Sequence, residues 1–307
     1  MIIDAHAHIF PEVRGRIKGG ITRSAGCGKI RVGMDQMLRV LPPSAIETVH
    51  PPEALIEHMD WVGVDKTVLL QGTFYGECNR YAAEAIQSWP DRFLGAAFLD
   101  PWSPGARHVF DKVVGELGFR AVKLELSEAA GLSGVHPDLR LDDPDVAWLW
   151  EAMEQHDFLL TLDLGAIDSI SYQTDAIRNI IDQHPHLRVV IAHLCQPNPA
   201  AEQDKVLWKA WKEQITLAQH PHVWLDTAAL PAYLVEEGYP FPSARRYIQM
   251  AVDLVGADKI MWGTDVPGLL TVATYRQLVD LGWAHTDFLS SEDQEKIMGL
   301  NAAEVYG

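Results

Sequence analysis

Eight short apolar runs, each followed by a stretch long enough for a helix, predict an α/β fold of the (β/α)8 TIM-barrel class. Two further observations agree. A chain of 307 residues, 48% of them hydrophobic, is ordinary for an α/β barrel and long for a sandwich or a bundle. The glycine-rich turn that signals an open doubly wound sheet is missing, since neither GxGxxG nor GxxxxGK[ST] occurs. No linker, low-complexity tract or internal repeat divides the chain, so a single domain over 1–307 is expected.

The first run, Ile2–Phe10, begins apolar and then alternates as a strand does. Residues two apart on a strand share a side, so His6 and His8 project together with Asp4 one step behind. Two converging imidazoles suit a divalent metal. The remaining runs are Lys66–Thr73, Phe93–Asp100, Phe119–Leu126, Phe158–Gly165, Arg188–Cys195, His222–Ala229 and Lys259–Val266. Several are almost continuously apolar and β-branched, as in strands buried on both faces of a parallel sheet. Between them, Pro51–Trp61 opens with Pro and Glu and sets Leu55, Met59 and Val62 on one side of a helix. Asp143-Pro144 reads as a cap and first-turn proline before Ala147, Trp148 and Glu151. Ser291 and Gln294 read as the capping box of the last helix.

The formal net charge of -17 argues against nucleic acid and anionic membranes as partners. No apolar run reaches transmembrane length, and a strand starting at Ile2 leaves no room for a signal peptide, so a cytoplasmic protein is expected. Cys27, Cys78 and Cys195 are too few and too scattered for a disulfide framework or a zinc ribbon.

Active sites of such barrels lie at the carboxyl ends of the strands, and ionisable residues cluster there. Strand one ends in His6 and His8, strand five (LLTLDLG) in Asp163, strand six (VVIAHLC) in His193 and strand eight (IMWGTDVPG) in Asp265. Any one of them reads as a satisfied polar group, but four coinciding strand ends do not. On strand four, Lys123 and Glu125 share the face opposite Val122, Leu124 and Leu126 and are expected to point inward. Either they form a buried ion pair, with each other or with Asp163, or Glu125 adds a metal ligand and Lys123 anchors a substrate carboxylate.

The segments IDAHAHIFP, IAHL, WLDTA, WGTDVP and EKIMGLNAAEVYG, in this order, resemble the amidohydrolase superfamily. The resemblance is to its amidohydrolase-related branch, which includes aminocarboxymuconate-semialdehyde and γ-resorcylate decarboxylases. It implies that His6, His8 and Asp265 bind a metal and that His193 acts as acid or base. Asp163 stands where the family usually has a metal-binding His. As an oxygen ligand it would favour Mn²⁺ over Zn²⁺, or it would weaken the site until no metal is kept. The resemblance extends to a lactonase for 2-pyrone-4,6-dicarboxylate that works without metal.

The segment from Val13 to Leu41 holds seven cations against Asp35 alone and is glycine-rich, so it reads as a mobile basic loop after strand one. It suits an anionic substrate, with Arg39 in the apolar stretch MLRVLPP as first candidate. A solvated loop or a contact with a neighbouring subunit are the other readings. After strand seven, Tyr233, Tyr239 and Phe241 either stack on a planar substrate or pack a dimer interface, and Tyr75 and Glu77 are rim residues. Trp208 and Trp211, at helical spacing, read as core or interface. The expectation is a metal-assisted hydrolase of a small carboxylated substrate, aromatic or lactone, with Asp265 and His193 catalytic. It would carry Zn²⁺ or Mn²⁺ and assemble as a homo-oligomer, a dimer. The alternatives are a decarboxylase or hydratase of the same substrates, or a barrel without catalysis that only binds a ligand.

Overall fold

The computed structural model describes residues 1–307. Thirteen strands form: β1 (Ile3–His8), β2 (Arg16–Ile17), β3 (Gly20–Gly26), β4 (Lys29–Val32), β5 (Gln36–Arg39), β6 (Lys66–Leu70), β7 (Phe93–Gly95), β8 (Ala97–Phe98), β9 (Ala121–Glu125), β10 (Leu159–Asp163), β11 (Arg188–Ile191), β12 (Val223–Asp226) and β13 (Ile260–Met261). One parallel sheet runs β1-β6-β7 and a second β13-β12-β11-β10-β9-β8. Only Ala96 separates β7 from β8. At the other junction, Ala5 N donates to Trp262 O (3.0 Å) and His8 N to Val266 O (2.7 Å). Each of the expected parallel runs therefore lies between its neighbours in sequence.

The strands are shorter than their apolar runs. The strands end at Ile191 and Met261, so His193 and Asp265 stand beyond them, both at positive φ (61° and 67°), with Asp265 N still donating to His6 O (2.7 Å). A side chain on the chain leaving a strand is free to turn into the cavity above it.

An inner cluster that includes Ile3, Val68, Ala121, Leu159, Val190 and Met261 lies among the strands, closed from below by Ala302 and Val305. The largest cluster, 69 residues, takes the opposite faces, such as Val122, Leu124 and Leu160, and the apolar sides of the helices. Alternation along β9 and β10 is thus apolar at the start and ionic at the carboxyl end, where Lys123, Glu125 and Asp163 continue the inner row. In β1 a register shift between Asp4 and Ala7 breaks the alternation, so Ile3 and Ala5 pack low while His6 and His8 reach the upper end.

The helix at Pro52–Val62 buries Leu55, Met59 and Val62 and carries Pro52 in its first turn. Two start signals lie elsewhere than expected. Asp143 accepts Asp145 N (2.8 Å) in a preceding turn, and the helix begins only at Ala147. Ser290, not Ser291, caps the helix at Ser291–Glu295, and the one reciprocal capping box is Thr274 with Gln277. The larger correction concerns the basic segment, which is not an open loop. Residues from Arg16 to Arg39 form a four-stranded antiparallel sheet, β2-β3-β4-β5, because buried Ile17, Thr22, Ile30 and Val32 alternate with exposed residues, and the three apolar ones pack with Phe10, Val13, Leu41 and Tyr75. No helix is long and apolar enough to cross a membrane.

Candidate active site

His6 and His8 leave β1 with ring centroids 5.1 Å apart. His6 Nδ1 faces Asp226 Oδ2 (3.1 Å), and His8 Nδ1 donates to the Leu70 carbonyl (2.8 Å). Each ring is thereby fixed through its Nδ1, with its Nε2 turned towards Asp265, as in metal-binding histidines oriented by a second acceptor. Asp265 Oδ1 lies 2.8 Å from His8 Nε2 and 3.8 Å from His6 Nε2. Burial, with Lys123 next, lowers the pKa of both imidazoles, so at neutral pH they are lone-pair donors. A neutral His8 that spends its one N–H on Leu70 points a lone pair at a carboxylate, and a cation between them satisfies both. Two nitrogens and an oxygen on one face are a fitting donor set for a divalent ion. Lys123 Nζ donates to the same His6 Nε2 (3.3 Å), so an ion there and the ammonium compete for one lone pair.

Asp163 is not part of that triad. Its Oδ2 pairs with His193 Nε2 (3.2 Å), and its Oδ1 accepts from Gly165 N (3.1 Å) and Gln196 Nε2 (3.2 Å). His193 Nδ1 faces the Ala228 carbonyl (3.2 Å), so both ring nitrogens meet acceptors and the ring is an imidazolium. Burial would lower its pKa, but the charge and hydrogen bond of Asp163, then Asp265 and Asp226, outweigh burial and push it up to about 9. In return, although burial would raise Asp163, the His193 charge and hydrogen bond hold it below the usual carboxylate range. Asp265 is likewise held low, by His8 against burial.

The turn that carries His193 is unusual. His193, Leu194, Cys195 and Gln196 all take left-handed φ (61°, 47°, 57° and 55°), at a cost of about 1–2 kcal/mol per residue. Surrounding bonds hold it in place. Asp226 Oδ1 accepts His193 N (2.9 Å), Trp211 Nε1 donates to Leu194 O (2.9 Å) and Tyr172 Oη to Cys195 O (3.0 Å). The result sets His193 and Gln196 on the two oxygens of Asp163.

A cavity of about 300 Å³ brings together His8, Lys123, Glu125, Asp163, His193 and Asp265 with Arg39, Tyr75 and Tyr233 at its walls. Lys123 and Glu125 are buried and point inward as expected, but they form no ion pair with each other or with Asp163. Glu125 Oε2 instead accepts Thr73 N (3.0 Å), and burial raises its pKa despite the pull of Lys123. Arg39 is exposed, with Nη1 donating to Cys27 O (2.9 Å). Tyr233 lies edge-on to His193 with centroids 6.3 Å apart, whereas Tyr239 is exposed and Phe241 is buried in the core. Glu77 turns away to accept Asn79 N (2.6 Å), and Trp208 stacks on fully buried Trp211.

Two contributors were given no role by the sequence reading. Asp226 bridges His6 and the His193 backbone from the end of β12, and a single acid closing the apolar VWLD was the signal for it. Asp4, fully buried, accepts from His6 N (3.1 Å), Thr264 N (2.9 Å), Thr264 Oγ1 (2.5 Å) and Tyr275 Oη (2.9 Å). It ties β1 to the segment that carries Asp265.

The Amidohydrolase family model matches residues 3–307. γ-Resorcylate decarboxylase of Rhodococcus jostii (strain RHA1) is 26% identical over 264 residues, 74% of each chain. A probable 2-pyrone-4,6-dicarboxylic acid hydrolase of Acinetobacter baumannii, crystallised with citric acid, shares the fold over 100% of this chain and 99% of its own, at 20% identity and a TM-score of 0.70. An amidohydrolase of Burkholderia multivorans with bound zinc covers the same shares at 18% identity and a TM-score of 0.73.

Proposed function

Because the chain belongs to the amidohydrolase family, in its amidohydrolase-related branch, and is an enzyme, we propose that it hydrolyses a small carboxylated aromatic or lactone substrate. The observation that carries this reading is one cavity shared by a carboxylate held ionised, Asp265, and an imidazole held protonated, His193. Hydrolysis needs a base for water and a donor for the oxygen that gains charge, both present before substrate arrives.

A divalent ion on His6, His8 and Asp265 would lower the pKa of its water towards about 7 and polarise the scissile carbonyl. With Asp163 engaged by His193, the donor set is two imidazoles and a carboxylate, which favours zinc over manganese. In this reading Asp265 takes the proton of the attacking water. His193, backed by Asp163, donates to the developing oxyanion and then protonates the leaving oxygen. Lys123 and Arg39 bind the substrate carboxylate, Glu125 orients a neighbouring oxygen, and Tyr233 lies along the ring. The same reading takes the eight parallel runs as one closed barrel and residues 1–307 as one domain.

The resemblance to γ-resorcylate decarboxylase favours a second reading, non-oxidative decarboxylation with Asp265 or His193 protonating the ring carbon. A screen of carboxylated lactones and hydroxybenzoates separates the two. Hydrolysis releases acid without CO₂, and stoichiometric CO₂ from a hydroxybenzoate would decide for decarboxylation.

A further inference from the structure

The antiparallel sheet β2–β5 has an outer face that its own chain leaves unsatisfied. In register, Arg23 stands opposite Arg31, and Lys29 opposite Arg39. Like charges directly opposite repel. None of these four has a carboxylate within salt-bridge distance, and the only basic residues of the segment in ion pairs are Arg14 with Glu12 and Lys18 with Glu128. Apolar side chains are mixed among the cations: Ile21 is 45% exposed, Met34 88% and Met37 48%. Strand β5 pairs with β4 alone, and all four of its residues are exposed, so its outer backbone groups are free. An unpaired strand edge is a template for pairing with another chain.

Charge and composition indicate the cover. Residues 13–41 carry seven cations and one acid, so the rest of the chain holds -23 of a total of -17. Exposed Met and Arg are types enriched at protein interfaces. The segment contains no aromatic residue for stacking on bases. We propose that the outer face and free edge of this sheet dock on the acidic body of a second copy of the chain.

Sedimentation velocity of the full chain at low and high salt tests the proposal. The wild type is expected to be a dimer at low salt that weakens as salt rises. Lys29→Glu/Arg31→Glu places a carboxylate opposite Arg39 and Arg23 and so relieves both repulsive pairs. It is expected to keep or raise the melting temperature while raising the dimer dissociation constant by about tenfold or more. Met37→Asp, on the same face, is expected to weaken the dimer without changing the circular dichroism spectrum. A monomer under all conditions, or a dimer indifferent to both variants, would overturn the proposal. So would wild type that stays monomeric yet binds a polyanion such as heparin.

Discussion

The partners of each ring nitrogen decide which histidine carries a proton, and the site's chemistry follows from that. His193 meets two acceptors and is held cationic, whereas His6 and His8 each spend one N–H and keep a lone pair. Asp265→Asn removes the proposed proton acceptor and ion ligand, and kcat/KM should fall by about 10³-fold or more with the far-UV spectrum unchanged. The raised His193 pKa makes a signed prediction for stability. Protonation favours the folded state, so the contribution is complete below the ordinary 6.5 and is lost as pH rises through about 9. The melting temperature of the wild type should therefore fall over that window more steeply than that of His193→Asn, with a ceiling of about 3 kcal/mol. Lys123→Met removes the ammonium that competes for His6 Nε2, and calorimetry should record tighter zinc binding, by about tenfold or more. His6, His8, His193 and Asp265 were legible as polar ends of apolar runs. The partnership of Asp163 with His193 was not, because a strand pattern gives the direction of a side chain and not which neighbour it meets.

At the level of elements, the left-handed turn His193–Gln196 and the antiparallel sheet do the positioning. The turn was not legible, and the sheet was not read from the signal it carried. Four consecutive residues at positive φ contain no glycine to announce them, and their strain is balanced by bonds from Asp226, Trp211 and Tyr172, all distant in sequence. Tyr172→Phe removes the bond to Cys195 O alone. It should cost about 1 kcal/mol by denaturant titration and lower kcat more than it changes KM. In the basic segment the many glycines suggested a loop, whereas alternation at Ile30 and Val32 was the stronger signal. Gly15 packs so closely on the Thr73–Phe74 backbone that a Cβ would overlap the Thr73 carbonyl oxygen. Gly15→Ala should displace the turn that holds Glu125 and Tyr75, cost about 1–3 kcal/mol and raise KM.

Over the whole molecule, the order of strands and the gathering of ionisable residues at one end were legible because parallel strands buried on both faces leave long apolar runs punctuated by charged residues. The two parallel sheets meet where the first run bonds to the last, a contact the sequence expresses only through Asp4 and the Thr264 it binds. All elements contribute to one outcome: an ionised carboxylate, a cationic imidazole and a candidate ion site facing one cavity in an acidic protein. The central claim is that this cavity adds water across a bond. Turnover in H₂¹⁸O of the most reactive compound from the screen, read by mass spectrometry, tests it most directly. The account predicts one ¹⁸O per product molecule, in the carboxylate newly formed from the scissile carbonyl, and Asp265→Asn should abolish the labelling. A product that has lost CO₂ and carries no solvent oxygen would contradict it.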